Sequence, residues 1–578
     1  MAKGFTNEGI VNIYHDEMNQ KSNPKVLLLF FLFACFHGLW HPCQAAMKPA
    51  IQVEQVPFQV PVLIGKPINP ILRIKITVNG TKNHQLTDFL LQTQGTTDIQ
   101  DLQTIAVYYT GKDTLFHKVS TASKRFGKTA KPTSNIIIDG RMELQPGVHY
   151  FWITCQLTNQ ADLLHRIAVQ LADVHFSEPA DVIINDCPRV EQRIGFAIHQ
   201  RMENGIHTAR IPGLAVTPKG TLLAIFDARR QSARDLQGDI DIGLRRSTDG
   251  GQTWQPLEIA MDMGEWGGLP EKFNGVSDPC ILVDKNSNTI YIAALWMHGV
   301  INQDGYWLKG LNENSDDWNH QWKNKGSQPG FGVKQTSQFM LVKSTDDGKT
   351  WSKPLNITKM CKEQDWWLFA PAPGNGIVLN DGTLVFPTQG RDASGRPFST
   401  ITYSKDSGRT WQTGKRALDK IETTECAVVQ LADQSLMLNM RANKNKGKTG
   451  PENGRAVCIT RDMGKTWTEH PSSFNALPEP VCMASLYKHS FMEAGKQQHF
   501  LLFSNPNSKV NRDHLTIKVS ADDGQTWPQK NWLLLDEWKS RGYSCITSVD
   551  EQHVGILYES SQADMVFQKI ALSEWLEK

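Results

Sequence analysis

Five octamers decide the fold: Ser247–Trp254 (STDGGQTW), Ser344–Trp351 (STDDGKTW), Ser404–Trp411 (SKDSGRTW), Thr460–Trp467 (TRDMGKTW) and Ser520–Trp527 (SADDGQTW). All read Ser/Thr-x-Asp-x-Gly-x-Thr-Trp. The residue types explain the repeat. Ser/Thr and Asp side chains accept backbone N–H bonds inside a tight turn. Gly supplies a backbone conformation that a side chain obstructs, and Trp packs inward to lock the hairpin. Successive starts lie 97, 60, 56 and 60 residues apart, the period of a four-stranded propeller blade with its loops. The long first interval fits one blade plus an insertion at residues 299–333, rich in Asn, Gln, Trp and Gly. At roughly 65 residues per blade the chain after 187 predicts a six-bladed β-propeller over 187–578.

Working outward, residues 47–186 read as short strands of a β-sandwich. Ile71–Val78 alternates apolar and polar residues and stops at Asn79-Gly80, a hairpin signal. Ile105–Tyr109, Ile136–Ile138, His149–Cys155 and Ile167–Val174 follow at the spacing of an antiparallel sandwich. Nothing in this stretch points to catalysis; an appended domain for stability or sugar binding is expected, with a linker at 176–190 around Pro179, Asn185 and Pro188. Residues 1–46 read as leader and signal peptide. Lys21 and Lys25 precede the apolar run Val26–Ala34, too short to span a bilayer and the right length for a signal h-region. Met18 is an alternative start. Cleavage near Gln44-Ala45-Ala46 releases a soluble protein, whereas Leu32-Phe33-Ala34-Cys35 resembles a lipobox that leaves Cys35 lipidated. Either route predicts export.

Composition narrows the partners. Sixty-one Lys+Arg balance 59 Asp+Glu, a formal charge of +2, which gives no electrostatic reason to expect nucleic acid or a membrane surface. Ten cysteines, two of them in the leader, show no zinc spacing, and a chain this large has no need of a disulfide framework. They read as small buried hydrophobes. No metal or cofactor is expected, and a monomer is.

A propeller's usual site is its central pocket, lined by loops from several blades. Charged residues in apolar surroundings just outside the repeats are therefore the candidates: Arg210 (Ala-Arg-Ile-Pro-Gly), Arg229 (Asp-Ala-Arg), Glu425 (Thr-Thr-Glu-Cys), Arg441 (Leu-Asn-Met-Arg), Arg512 after Phe-Ser-Asn-Pro, and Tyr543 (Arg-Gly-Tyr-Ser-Cys). Taken singly, an Arg at a strand end is usually solvated or ion-paired and a Tyr after Gly is core or turn. Together, the Arg-Ile-Pro motif, the repeated Asp boxes, their order and the 16-residue step from Glu425 to Arg441 resemble the bacterial exo-α-sialidases (neuraminidases) of glycoside hydrolase family 33, over roughly residues 190–575. Ala209 stands where that family often has Phe or Tyr.

The resemblance implies hydrolysis of terminal α-linked sialic acids on glycoconjugates. Arg210, Arg441 and Arg512 match the triad that binds the sugar's carboxylate, for which guanidinium forks suit better than Lys. Arg229 matches a fourth contact, with adjacent Arg230 its rival. Tyr543 matches the nucleophile, a recognised exception to the usual carboxylate pair. Glu425 matches its base, and Asp235 (Ala-Arg-Asp-Leu-Gln) the general acid. Asp278 before Pro279 is a further candidate for the pocket, against a plainer role as a turn residue. Trp366 and Trp367 stand between sugar contact and core. A sialic-acid-binding lectin and an enzyme acting mainly by transfer are the competing functions.

Overall fold

α-Helix is almost absent: the computed structural model has only the single α-helical turns Thr358–Cys361 and Ser573–Leu576, beside a few short 3-10 turns, among its described residues, which are 49–116, 119, 123–236, 238–298, 328–333 and 335–576. The leader, Cys35 and most of the expected insertion (299–327) lie outside the described residues. No helix among those described is long and apolar enough to cross a membrane.

The alternating run at Ile71–Val78 lies in strand Asn69–Val78, where Leu72, Ile74, Ile76 and Val78 are buried and Arg73, Lys75 and Thr77 are half-buried, the pattern of a sheet with one face on a core. It sits inside a six-stranded sheet ordered Val182–Asn185, Ile51–Val56, Asn69–Val78, Gly147–Leu157, Leu102–Gly111 and Arg125–Ala130. A three-stranded sheet, Gln170–Phe176, His84–Gln92 and Asn135–Leu144, shares its core. Phe89 from the smaller sheet meets Phe126 and Phe151 of the larger edge-on, at 5.1 and 5.2 Å. Part of the expected linker is itself a strand: Val182–Asn185 pairs in parallel with Ile51–Glu54.

After residue 187 the chain runs as antiparallel meanders. A nine-stranded sheet holds the first and second octamers. Sheets of five, four and four strands hold the next three in turn. In the last sheet, Ser544–Ser548, His553–Tyr558 and Met565–Ala571 are completed by Gln192–His199 from the beginning of this region, with Phe196 opposite Phe567. Val62–Ile64 adds to Gln192–His199 in parallel. Everything from Pro49 onward thus forms one compact unit, and one apolar core runs from Ile74 and Phe151 to Phe226, Trp254 and Phe567.

Each octamer follows the third strand of its meander, as Ser247–Trp254 follows Ile240–Ser247. In that turn Gly251 N–H donates to Ser247 Oγ (2.9 Å), while the Thr253 N–H and hydroxyl donate to the Asp249 carboxylate (3.0 and 2.5 Å). The same bonds recur at Asp346, Asp406, Asp462 and Asp522. At Asp462 the Thr466 hydroxyl and N–H hold the carboxyl down to about 2. Trp254 closes its turn by donating to Gly251 O (2.9 Å) and packing edge-on against Phe567 at 5.1 Å. All eight described cysteines are free thiols, seven of them buried.

Gly251 has φ +93°, and a Cβ there would lie 2.1 Å from the Phe567 ring. Gly251→Ala is therefore expected to destabilise the fold by about 2–4 kcal/mol, from left-handed backbone strain plus overpacking, seen as a lower midpoint in denaturant unfolding.

Candidate active site

In an antiparallel meander the start of the first strand, the end of the second and the loop after it share one end of the sheet; the octamers, after the third strand, lie at the other. The candidate residues all occupy the first end. Arg210 and Glu425 stand near the starts of strands Thr208–Val216 and Thr423–Gln430. Arg229 and Arg441 stand at or next to the ends of Leu222–Arg229 and Leu436–Ala442. Asp235 and Arg512 lie in loops after second strands, and Tyr543 directly precedes Ser544–Ser548. Register shifts between Arg210 and Gly213 and between Thr423 and Cys426 break the ladders beside Arg210 and Glu425, the kind of irregularity that re-aims side chains.

Glu425, Arg441 and Tyr543 meet directly. The Tyr543 hydroxyl donates a short hydrogen bond to Glu425 Oε1. Arg441 Nη1 donates to Glu425 Oε2 (2.6 Å) and to the Tyr543 oxygen (3.1 Å). Burial, then the Glu425 charge, push the Tyr543 phenol well above its ordinary value, with Arg441 and Arg512 pulling the other way. The resting group is a phenol whose proton already points at a carboxylate. Arg210 and Arg512 both place their guanidinium carbon over the Tyr543 ring, at 5.2 and 5.5 Å. Arg512 is held by the backbone carbonyls of Arg541 (3.0 Å) and Val481 (3.2 Å).

Arg210 is anchored by Glu559, which the sequence did not single out. Glu559 Oε1 accepts from Arg210 Nε and from Ile211 N–H (3.0 Å), and Oε2 accepts from Tyr543 N–H (3.0 Å). Ile211 has φ +60°, a costly conformation for a β-branched residue, and its N–H is fixed by this carboxylate. Burial opposes charge on Glu559, but Arg210 and the two N–H groups hold it below its ordinary value.

A second cluster surrounds Arg229. Its guanidinium bridges Asp227 Oδ2 (2.8 Å) and Asp235 Oδ1 (2.5 Å) and donates to Ala233 O (3.0 Å). Arg229 and Asp227 are buried, whereas the Asp235 side chain is 63% exposed. The carboxylates of Asp227, Asp235 and Asp278 lie within 4.8 Å of one another, and the Arg229 cation already links two of them. The groups crowded around the Asp235 carboxylate displace water and work against its ionisation, yet Arg229, then Arg210 and Arg441, hold it below its ordinary value. Burial raises Asp227 to about 6 against the pull of Arg229. Burial also pushes Asp278 well up, helped by Asp235, Asp227 and Glu425. Asp278 has φ +57° within strand Asn274–Asp284; its N–H donates to Asp227 Oδ1 (3.0 Å).

The remaining candidates separate. Arg230 pairs with Asp241 (2.5 Å), leaving Arg229 as the arginine next to Asp235. Trp366 packs on Phe369 and Phe398 at 5.3 and 4.8 Å and belongs to the core edge; Trp367 donates to Ala393 O (3.1 Å). A cleft of about 810 Å³ opens beside Trp152, Trp538 and Lys66, but none of the clustered groups above lines it.

The family described as "BNR repeat-like domain" matches residues 211–545, and "N-terminal domain of BNR-repeat neuraminidase" matches residues 50–179. A sialidase from Bacteroides fragilis is 37% identical over 95% of this chain and 99% of its own length. One from Micromonospora viridifaciens is 31% identical over 61% of this chain and 50% of its own. The solved structure of a Hadza microbial sialidase superposes with a TM-score of 0.79 at 35% identity, over 90% of this chain and 99% of that one. Fold, repeats and relatives define a glycoside hydrolase built on Asp-x-Gly turns. The chain belongs to the sialidases, the BNR-repeat neuraminidases.

Glu559→Gln keeps the shape but leaves Arg210 without its buried counter-charge. It is expected to destabilise the protein by about 3–5 kcal/mol and to raise KM, measured by denaturant unfolding and by sialoside kinetics at permissive temperature.

Proposed function

We propose that this exo-α-sialidase removes terminal α-linked sialic acids from glycoproteins, glycolipids and oligosaccharides with retention of configuration, through Tyr543 as nucleophile. The observation that carries it is the contact of the Tyr543 phenol with Glu425 and Arg441. A binding protein has no need of a base hydrogen-bonded to a phenol.

The substrate's own carboxylate sits on the carbon where the bond breaks. Arg210, Arg441 and Arg512 hold it, because planar guanidinium forks match carboxylate geometry. A second carboxylate as nucleophile would be repelled by that charge; a neutral phenol is not. Glu425 takes the phenolic proton as Tyr543 Oη attacks the anomeric carbon, and Asp235 gives its proton to the departing glycosidic oxygen. Water, deprotonated by Asp235, then displaces the tyrosyl oxygen, and Glu425 returns the proton to it. Two inversions give retention. Arg229 orients Asp235. No step calls for a metal or cofactor.

The sheets after residue 187 are the six blades of a propeller, its last blade closed by Gln192–His199, and residues 47–186 are an accessory β-sandwich. The leader at 1–46 directs export, either to a soluble form or to a lipid anchor at Cys35.

Tyr543→Phe is expected to lower kcat about a thousandfold or more while sialic acid still binds by calorimetry; wild-type turnover in that variant refutes the assignment. Arg441→Lys removes the fork and is expected to reduce kcat/KM by roughly 10- to 100-fold with a linkage-defined fluorogenic sialoside; an unchanged KM and kcat count against the triad.

A further inference from the structure

The loop Glu537–Gly542, which leads into Tyr543, has no regular secondary structure, so its position depends on what grips it. One grip comes from the N-terminal region, in the strap between strands Ile51–Val56 and Val62–Ile64. Gln59 N–H donates to Glu537 Oε2 (3.0 Å), and Glu537 N–H donates back to Gln59 O (2.9 Å). Beside this pair, Trp538 inserts into an aromatic cluster of the N-terminal sheet: Phe58 at 4.7 Å and Trp152 at 5.9 Å between ring centroids. The strap is fixed in turn, because Gln192 donates to Phe58 O (2.5 Å) and accepts from Val60 N–H (3.0 Å).

The grip is wired to the catalytic groups. Asp536, directly before the loop, accepts from Ser560 Oγ, Ser561 N–H and Ser561 Oγ, each at 2.7 Å; these serines follow Glu559, the anchor of Arg210 and of the Tyr543 N–H. Ser540 N–H donates to Arg512 O (2.8 Å), and Arg541 O accepts from the Arg512 guanidinium. A shift at Glu537–Trp538 therefore moves the carbonyl that holds Arg512 and the backbone of Tyr543 together.

We propose that the Phe58–Gln59 strap clasps Glu537 and Trp538 to position the nucleophile loop, so that the N-terminal region is a working part of the catalytic centre. Glu537 and Trp538 are positioning residues in this role, which rests on Tyr543 as nucleophile. Misplacing a nucleophile or its clamp by about 1 Å costs on the order of a hundredfold in rate.

The full-length protein is compared as wild type, Trp538→Ala, Trp538→Phe, Glu537→Ala and Glu537→Gln on a fluorogenic sialoside, with unfolding midpoints recorded alongside. The expected result is a tenfold or greater fall in kcat for Trp538→Ala and Glu537→Ala, larger than any rise in KM. Phe at 538 keeps an aromatic ring and Gln at 537 keeps an acceptor for Gln59 N–H, so both are expected to recover most of the rate. Rescue by these conservative variants, rather than by stability, marks positioning. Folded Trp538→Ala and Glu537→Ala proteins with wild-type kcat and KM overturn the proposal. If Trp538→Ala does not fold, the Glu537 pair decides alone, and equal rate losses in Glu537→Ala and Glu537→Gln count against the hydrogen-bonded clasp. An inactive Tyr543→Phe beside unaffected clasp variants defeats only the clasp; an active Tyr543→Phe defeats the nucleophile assignment itself.

Discussion

Glu559 is the buried charge on which the geometry around Tyr543 depends. A carboxylate out of water is costly unless its lone pairs are filled and a cation balances it. Here both conditions are met by groups 349 and 348 residues away in sequence: the Arg210 guanidinium and the N–H of Ile211. The remaining oxygen takes the Tyr543 N–H. One side chain thus joins the first strand after the chain closure to the loop that carries the phenol, and it stabilises the strained backbone at Ile211. Removing it unbalances a cation and frees two backbone donors at once, so the site has little room to relax in parts.

Meander topology keeps this demanding chemistry away from the elements that specify the fold. The octamers stabilise themselves through bonds spanning four residues, such as Thr253 to Asp249, at the end of each sheet opposite the candidate catalytic groups. Their carboxylates are used up by local N–H and hydroxyl donors. Glu425, Asp235 and Glu559, in contrast, are satisfied by arginines, two of them from other segments of the chain. A local code builds the scaffold, and long-range charge pairing assembles the site.

That difference explains what was legible in the sequence. The octamers were readable because the hydrogen bonds that fold each turn lie within eight residues. Strand Asn69–Val78 was readable because one of its faces is buried; His84–Gln92, with its mixed HQLTDFLLQ, was passed over although Leu86, Phe89 and Leu91 fill the same core. Val182–Asn185 was taken for linker, since four residues flanked by prolines carry no periodic signal. Among candidate site residues, the arginines, Glu425, Asp235 and Tyr543 were singled out through their motif contexts, and they fall into two clusters at the same end of the sheets. Glu559 had no such context: an acid after the apolar strand His553–Tyr558 looks like any strand end. Asp227 did leave a trace, since it stands two residues before Arg229 and so shares its face of the strand. Glu537 and Trp538 left none, because their partners Gln59 and Phe58 lie at the far end of the chain.

The electrostatics around Tyr543 suit the proposed nucleophile, one made only on demand. In the resting state burial and Glu425 keep the phenol protonated, while Arg441 and Arg512 favour its anion. A permanently ionised carboxylate in this position would tie up the same guanidiniums that an incoming substrate carboxylate needs. The neutral phenol competes for them less. Asp235 is tuned the opposite way: without substrate, Arg229, Arg210 and Arg441 keep it ionised. A substrate carboxylate lying against Arg210 and Arg441 cancels part of that positive field and adds a negative charge nearby, and both effects raise the affinity of Asp235 for a proton. On the proposed mechanism, the charge the enzyme recognises is therefore also the charge that readies its acid.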